Sequence, residues 1–346
     1  MIMRKVYNER PNWSSLAVIA DNISKLYEDG LSFIYIFDLL QDLDISENYK
    51  ASLLNVRKSI NMGKSLEESF KDQGRIFPNF FVNMVGVGEK TGNISGILDS
   101  LNLFYSKLAF IKKFIINALS YPIIILLASL AVVIFLSVSI IPNFKDIYIS
   151  LGKEIPKSFN TIINLKTFIY NNKILSICYF LLWGIAIPYT VFKFFLKDML
   201  VRFLYKIAIY RKFVEYVNVM ILTVIVRSGV NLIKGLEFCG EVDLLYNNKN
   251  IVKEIKNNIL LGNPLSESMK VTNIFSKYTL AHIKLGEESG SLDLHLIQME
   301  KTLFNNIQED LNKKISMIQP LMIMFIGAMV CMFILIFVLP LFGEVI

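Results

Sequence analysis

The chain has 346 residues, 54% of them hydrophobic, and its mean hydropathy is +0.50. This composition is too apolar for a soluble protein of ordinary make-up, so it predicts a membrane protein. The net charge of +7 is not gathered in one module: residues 1–113 carry 14 basic and 13 acidic side chains, and residues 197–316 carry 16 and 13. We attribute the excess to lysines beside membrane segments, where anionic lipid is the expected partner, and expect no nucleic-acid binding.

Three apolar segments divide the chain. The stretches Phe114 to Ile141, Ile174 to Phe192 and Ile315 to Phe342 lack Asp, Glu, Lys, Arg and His, and each reaches the roughly 20 residues that a membrane-spanning helix needs. We predict, in chain order, a cytoplasmic helical module (residues 1–113), a transmembrane helix (114–141), a periplasmic loop (142–173), a second transmembrane helix (174–196), a second cytoplasmic module (197–314), a third transmembrane helix (315–342) and a short periplasmic tail (343–346). A fourth apolar stretch, Phe213 to Val226, is short enough to favour a buried core helix.

Basic residues indicate the orientation in the membrane. They cluster before the first span, after the second and before the third: Lys107, Lys112, Lys113, Lys197, Arg202, Lys206, Arg211, Lys212, Lys301, Lys313 and Lys314. Because lysine and arginine concentrate on the cytoplasmic side, both modules and the amino terminus are predicted to be cytoplasmic. The opening residues lack an apolar core, so we expect no cleavable signal peptide.

The two modules repeat the same landmarks. In the first, Gly30, Gly63, the motif Gly88-Glu89-Lys90-Thr91-Gly92 and Pro122 follow one another at intervals of 33, 25 and 34 residues. In the second, Gly229, Gly262, the motif Gly286-Glu287-Glu288-Ser289-Gly290 and Pro320 follow at intervals of 33, 24 and 34. Agreement at four landmarks indicates an internal duplication.

The pattern within each module is helical, because apolar residues recur at helix spacing and no strand alternation is sustained. Ser65 followed by Glu68 fits a capping box. Asn263 before Pro264 fits an N-cap residue followed by a first-turn proline. We predict an all-α polytopic membrane protein with two homologous cytoplasmic bundles of about six helices each and three transmembrane helices.

Glycines and prolines have predicted structural roles. Gly30 and Gly229 lie where the chain reverses between packed helices and a positive φ is needed. The last helix of each module is expected to lengthen into the membrane, with Pro122 and Pro320 where it enters.

The repeated glycine-glutamate motif is the local sequence that could carry function. Its glycines permit a tight loop before the next long helix; they are Gly88, Gly92, Gly286 and Gly290. Glu89 and Glu287 would then lie near the positive end of that helix. Three interpretations are open: a structural loop whose acid accepts hydrogen bonds from backbone amides, a docking surface for a partner, and a weak cation site that pairs the two acids.

The sequence offers no catalytic, cofactor or metal site. Gly63-Lys64-Ser65 lacks the glycine that a phosphate-binding loop needs five residues earlier, where Lys58 stands. The two histidines, His282 and His295, do not have metal-ligand spacing, so we assign them structural or surface roles. We therefore predict that the protein is not an enzyme and carries no cofactor.

These features resemble the type II secretion F family, the GspF/PilC-like inner-membrane platform proteins of type II secretion systems and type IV pili. The resemblance rests on the order module, span, span, module, span and on the repeated Gly-Glu-x-(Ser/Thr)-Gly motif, and it covers essentially the whole chain. The family motif falls on Gly88, Glu89, Gly92 and Leu98, and on Gly286, Glu287, Gly290 and Leu294 or Leu296. The short amino terminus is similar to that of type IVb platforms, such as those of the toxin-coregulated and bundle-forming pili.

The resemblance implies a platform in the bacterial inner membrane, with the motif residues as candidates for partner contact. It would couple a hexameric assembly ATPase to the polymerisation of pilin or pseudopilin subunits, and would form a homo-oligomer beside other inner-membrane assembly proteins. The alternative is a small membrane transporter or permease component. That alternative predicts ionisable residues or broken helices at mid-membrane, which the spans do not contain.

Overall fold

The structure is a computed structural model that describes residues 11–152, 171, 208–239 and 248–339. The predicted second transmembrane helix (174–196), most of the predicted periplasmic loop and the predicted tail (343–346) lie outside the described residues. Within the described ranges the chain forms helices and turns and contains no β-strand. The all-α prediction is confirmed.

Residues 11–113 of the first module form six α-helices, as predicted. They are α1 (Trp13–Glu28), α2 (Phe33–Leu39), α3 (Glu47–Asn61), α4 (Leu66–Lys71), α5 (Asn79–Thr91) and the start of α6 (Ile94–Phe135). After a π-helical turn at Leu136–Ile140, a further helix α7 spans Ile141–Ser150. Residues 142–150 of the predicted periplasmic loop are therefore helical.

The second module repeats this order. Its helices are α8 (Ala208–Arg227), α9 (Leu232–Cys239), α10 (Asn248–Leu260), α11 (Leu265–Val271), α12 (Lys277–Ser289) and the start of α13 (Leu292–Phe333), which a π-helical turn at Ile334–Val338 follows. The two long helices α6 and α13 have the same length, 42 residues. The fold therefore confirms the duplication read from the landmarks.

Glycine joints end equivalent helices in both modules. Gly30 and Gly229 have φ of 82° and 65°, and both follow the first helix of their module. Leu31 N–H donates to the Leu26 carbonyl oxygen, and Val230 N–H donates to the Ile225 carbonyl oxygen. Each of these hydrogen bonds gives a partner to a carbonyl group that the end of the helix leaves unpaired. The predicted positive φ at both joints is confirmed.

One predicted helix start is displaced by a residue. Ser65 caps α4 as expected, because its hydroxyl accepts the Glu68 N–H at 3.1 Å. In the second module Pro264, and not Asn263, occupies the cap position, with extended backbone angles. Its carbonyl oxygen accepts the Ser268 N–H, so the helix begins after the proline. The proline therefore acts as the cap itself and not as the first helical residue.

The two modules have differently composed cores. In the first, the Phe70 ring packs against the rings of Phe37, Phe77 and Phe81, and all four are at most 1% exposed. In the second, α8 supplies a mostly aliphatic core. Val214 to Ile225 on α8 are buried throughout. The prediction that Phe213 to Val226 is a core helix is confirmed.

The chain divides into two compact units. The first comprises Met1–Lys113 and Tyr205–Gln308, and therefore holds both modules; the second comprises Phe114–Leu204 and Glu309–Ile346. In the part of the chain that the structure describes, two helices, α6 and α13, are long and apolar enough to cross a membrane. Hardly any of their most apolar stretch is buried by protein. Pro122 and Pro320 lie within these helices, at the same distance from each helix start.

Candidate functional site

The repeated glycine-glutamate motif lies mostly inside a helix. Gly88 to Thr91 form the last turn of α5, and only Gly92, at φ 73°, leaves it. The second copy is the same, with Gly290 at φ 66° after α12. The prediction of a loop spanning the whole motif is wrong: only the second glycine is needed to reverse the chain, and the residues before it continue the helix.

Glu89 caps a helix that lies earlier in the sequence. Its Oε1 accepts the Leu66 N–H at 2.7 Å and its Oε2 accepts the Glu67 N–H at 3.1 Å. These amides belong to the first turn of α4, where backbone N–H groups lack partners within the helix. The negative carboxylate therefore faces the positive end of α4, and not of the following helix α6 as predicted.

The second module repeats this cap. Glu287 Oε1 accepts the Leu265 N–H at 2.5 Å, and its Oε2 accepts the Ser266 N–H at 3.0 Å. Both carboxylates therefore use both oxygens on backbone amides. This geometry is that of the first interpretation, an acid bonded to amides within its own module. A docking role for the motif stays a prediction.

The first glycine of each motif allows two helix backbones to approach closely. A Cβ on Gly88 would lie 3.0 Å from the Ile94 Cα, and a Cβ on Gly286 would lie 2.9 Å from the Leu292 Cα. Few real Cβ contacts are as short as this, and in each case the neighbour is backbone. Both glycines therefore fix how α5 packs on α6 and how α12 packs on α13.

The two copies differ in the charges around the cap. In the first module Lys90 Nζ pairs with Glu67 Oε2 at 2.7 Å, and this hydrogen bond raises the pKa of Lys90 above its usual value. In the second module Ser266 follows Leu265 where Glu67 follows Leu66, and Glu288 pairs with Lys284 on its own helix at 3.8 Å. The shared cap is therefore surrounded by different surface charge.

A short turn with an exposed apolar side chain precedes each helix that a glutamate caps. We define the paired joints as residues 62–65, between α3 and α4, and residues 261–264, between α10 and α11. Met62 and Leu261 are each 80% exposed and precede Gly63 and Gly262, whose φ values are 83° and 89°. The glutamate cap fixes the start of the helix directly after each joint.

The long helices of the two modules contact each other through charged and aromatic side chains. Lys107 Nζ on α6 pairs with Glu300 Oε1 on α13 at 2.5 Å, and the lysine also lies over the Phe304 ring. Phe304 packs against Phe110 of the first module and Tyr216 of the second. Glu300 is 7% exposed, so this contact is largely excluded from water.

Sequence reasoning missed two arrangements. The Lys107–Glu300 pair joins residues far apart in the chain, and no local pattern marks either one. His282 and His295, assigned to separate structural or surface roles, have their Nδ1 atoms 3.3 Å apart.

Of the two leucines considered for the second motif, Leu296 is fully buried like Leu98, whereas Leu294 is 64% exposed, so Leu296 is the structural counterpart of Leu98.

Metal ligands do not form a larger cluster in the described ranges 11–152, 208–239 and 248–339. No group of three or more His, Cys, Asp or Glu side chains converges there. The cation interpretation of Glu89 and Glu287 gains no support from their geometry, because backbone amides occupy both carboxylates.

The fold and the paired caps define an all-α protein with a duplicated module whose last helix is long and apolar. Residues 19–142 and 219–340 each match the family model described as "Type II secretion system (T2SS), protein F". These ranges cover most of the chain and correspond to the two copies of the repeat. The chain belongs to this family.

Curated relatives agree with this assignment. The chain is 23% identical to the type IV pilus assembly protein PilC of Pseudomonas aeruginosa, over 94% of this chain and 89% of that protein. It is 25% identical to the type II secretion system protein F of the same species, over 94% and 81% of the two chains. Its identity with PilC of Thermus thermophilus is 24%, over 96% and 83%.

Proposed function

We propose that this chain is an inner-membrane platform protein of a type IV pilus or type II secretion machine. It couples a cytoplasmic assembly ATPase to the polymerisation of pilin or pseudopilin subunits, and it does not itself hydrolyse ATP. Its membership of the T2SS protein F family and its similarity to PilC and protein F relatives support this proposal. The proposed topology is multi-pass, with a cytoplasmic amino terminus and both modules on the cytoplasmic side.

One structural observation carries the proposed mechanism. The two modules form a single compact unit, and their long helices, α6 and α13, each continue beyond that unit as an exposed apolar helix. The Lys107–Glu300 pair couples the two helices before they become apolar. ATP turnover in a partner would displace the modules, and the continuous helices would transmit the displacement into the bilayer.

We assign ATPase contact to the paired joints. The duplication presents an apolar side chain at 80% exposure in the same place twice, at Met62 and Leu261. Isolated exposed apolar residues are common, but an equivalent pair on rigid joints offers matched contacts for a partner. Glu89 and Glu287 act as positioning residues, because they hold the helix that follows each joint.

The test is recovery of partners with full-length protein. The tagged protein is crosslinked in its own host, extracted in mild detergent and purified, and the accompanying ATPase and prepilin are quantified. Wild type is compared with the double variant Met62→Asp/Leu261→Asp. The matched control is Leu294→Asp, which also places a charge at an exposed apolar position but lies outside both joints.

We expect wild type and Leu294→Asp to recover both partners, and the joint variant to lose the ATPase while its yield and Tm stay unchanged. Unchanged ATPase recovery with the joint variant would contradict the assigned surface only. Recovery of neither partner with wild type would contradict the platform proposal. Recovery of a solute-binding protein instead would favour a permease component.

A further inference from the structure

The only two histidines of the chain meet in the second module. His282 lies on α12 and His295 on α13, and their Nδ1 atoms are 3.3 Å apart. The ring centroids are 5.5 Å apart, considerably farther than the two nitrogens, so the Nδ1 edges face each other. The Tyr278 ring packs against His282 at 4.4 Å between centroids and limits its rotation. Two imidazoles from different helices are thus held with their nitrogens converging.

The first module has apolar residues at the equivalent positions. Met84 stands four residues before Gly88, as His282 does before Gly286; Ile97 stands five residues after Gly92, as His295 does after Gly290. Met84 and Ile97 are both fully buried, whereas both histidines are partly exposed. The duplicated fold therefore does not require polar side chains here. At these positions the second module has two imidazoles that solvent can reach.

At 3.3 Å one imidazole can donate an N–H hydrogen bond to the other, and the same distance suits a metal ion bound by both nitrogens. Zinc binds imidazole nitrogen at about 2.0–2.1 Å, and tetrahedral angles then put two such nitrogens about 3.3 Å apart. We propose that His282 and His295 form a two-imidazole site for a divalent transition metal, with Zn²⁺ as the ion that fits best. Imidazole is a ligand of choice for Zn²⁺, Cu²⁺ and Ni²⁺, and water completes the coordination in the isolated protein.

Metal binding at this place would fix the junction of two helices. His282 precedes the Glu287 cap on α12, and His295 belongs to the first turn of α13. An ion held by both rings would link α12 to α13 across the Gly290 turn. The open coordination positions would face solvent, where a carboxylate or imidazole of another protein could bind.

The test uses full-length protein in detergent, purified with a tag that contains no histidine and treated with a chelator. Zn²⁺ is titrated by calorimetry, and Cu²⁺ coordination is measured by pulsed electron paramagnetic resonance, which detects bound imidazole nitrogen. Because the chain has no other histidine, any imidazole signal comes from this pair. We expect one ion per chain and a signal from two imidazoles.

Variants His282→Gln and His295→Gln separate the site from adventitious binding. Each is expected to weaken Zn²⁺ binding by at least about tenfold and to abolish the two-imidazole signal. Lys284→Gln, on the same helix, should bind Zn²⁺ as wild type does. Saturable binding that survives in the His282→Gln/His295→Gln variant would overturn the proposal, as would the absence of imidazole from the wild-type Cu²⁺ spectrum.

The spectrum of wild-type protein keeps the proposal testable if a variant fails to fold. The outcome is also independent of the platform function, because that function is measured by recovery of the ATPase and prepilin and involves neither histidine.

Discussion

Lys107 Nζ donates a hydrogen bond to Glu300 Oε1 across the boundary between the two modules, at 2.5 Å. The lysine side chain is 27% exposed and the glutamate side chain 10%, so both charges are largely withdrawn from water. A buried charge without its partner is costly, whereas a paired one is tolerated. The pair therefore favours one arrangement of α6 on α13 over others.

Removing one partner of this pair should destabilise the protein more than removing both. We expect Lys107→Met or Glu300→Gln to cost about 1–3 kcal/mol, because each leaves a desolvated polar group unpaired. The double variant should cost less than either single variant, and therefore less than their sum. The measurement is Tm by fluorimetry of full-length protein in detergent, where about 1 kcal/mol corresponds to roughly 2–4 °C.

A charge-swapped variant provides the control. Lys107→Glu/Glu300→Lys should regain part of the Tm that Lys107→Glu alone loses. Additive effects of the two single substitutions would mean that the side chains do not interact in solution.

The two glutamate caps should stabilise the fold through the hydrogen bonds that their carboxylate oxygens accept. Glu89→Ala leaves the Leu66 and Glu67 amides without acceptors, and we expect a loss of about 1–2 kcal/mol. Glu89→Gln keeps one acceptor and should lose less, whereas Glu89→Lys adds a positive charge at the positive end of α4 and should lose more. Thermal unfolding of the three variants gives the order, and Glu287 should give the same order.

An assay of piliation or secretion distinguishes a structural role of the glutamate caps from direct contact with a partner. If the caps act only by positioning the joints, activity should fall in proportion to stability. An Ala variant that is as stable as wild type but inactive would instead assign the carboxylate to direct contact with a partner.

Close helix packing predicts that Gly88→Ala and Gly286→Ala are destabilising. The new methyl group would lie closer to a backbone Cα atom than van der Waals contact allows. We therefore expect each substitution to lower the free energy of unfolding by about 1–3 kcal/mol, although alanine has the better helix propensity. Gly327→Ala is the matched control, because Gly327 is also helical and has nothing within 4 Å of its Cβ position. It should leave Tm unchanged or slightly raised. Equal effects at all three glycines would contradict the steric explanation.

Trp13 should lie at the level of the lipid headgroups. Its ring is 5.7 Å from Lys112 Nζ, at the end of the first module and just before the exposed apolar part of α6. Tryptophan is enriched at the membrane interface. The chain has two tryptophans, so Trp183→Phe leaves Trp13 as the only tryptophan, which can be excited selectively at 295 nm or above.

The experiment measures Trp13 fluorescence in vesicles that contain anionic lipid. We expect stronger quenching by a label near the headgroup than by one at the end of the acyl chain. Trp13→Phe, which retains only Trp183 in the predicted second span, should show the opposite depth preference. Quenching of Trp13 by aqueous iodide alone would contradict the interfacial position.

Features that depend on near neighbours in the chain could be predicted from the sequence. The repeated glycines predicted the joints because a positive φ is strongly selective for glycine. Ser65 predicted a cap because its acceptor reaches an amide three residues away. Phe213 to Val226 was recognised as core because it is too short to span a bilayer.

Features that depend on tertiary packing could not be predicted. Glu89 bonds to amides 22 and 23 residues earlier, and the sequence pointed to the nearer helix, α6, because it follows directly. The Lys107–Glu300 pair spans 193 residues. His282 and His295 converge only because the Gly290 turn folds α13 back on α12, and their separation in sequence matches no single-helix ligand pattern.

The π-helical turns at Leu136–Ile140 and Ile334–Val338 follow helices of equal length in the two repeats. A π-turn holds one more residue than an α-turn, so each acts as a one-residue insertion. Such an insertion shifts the phase of all later side chains by about 100° around the helix axis. The shift occurs at the same place in both copies, so no straight stripe of side chains can continue from either long helix through the π-turn that follows it.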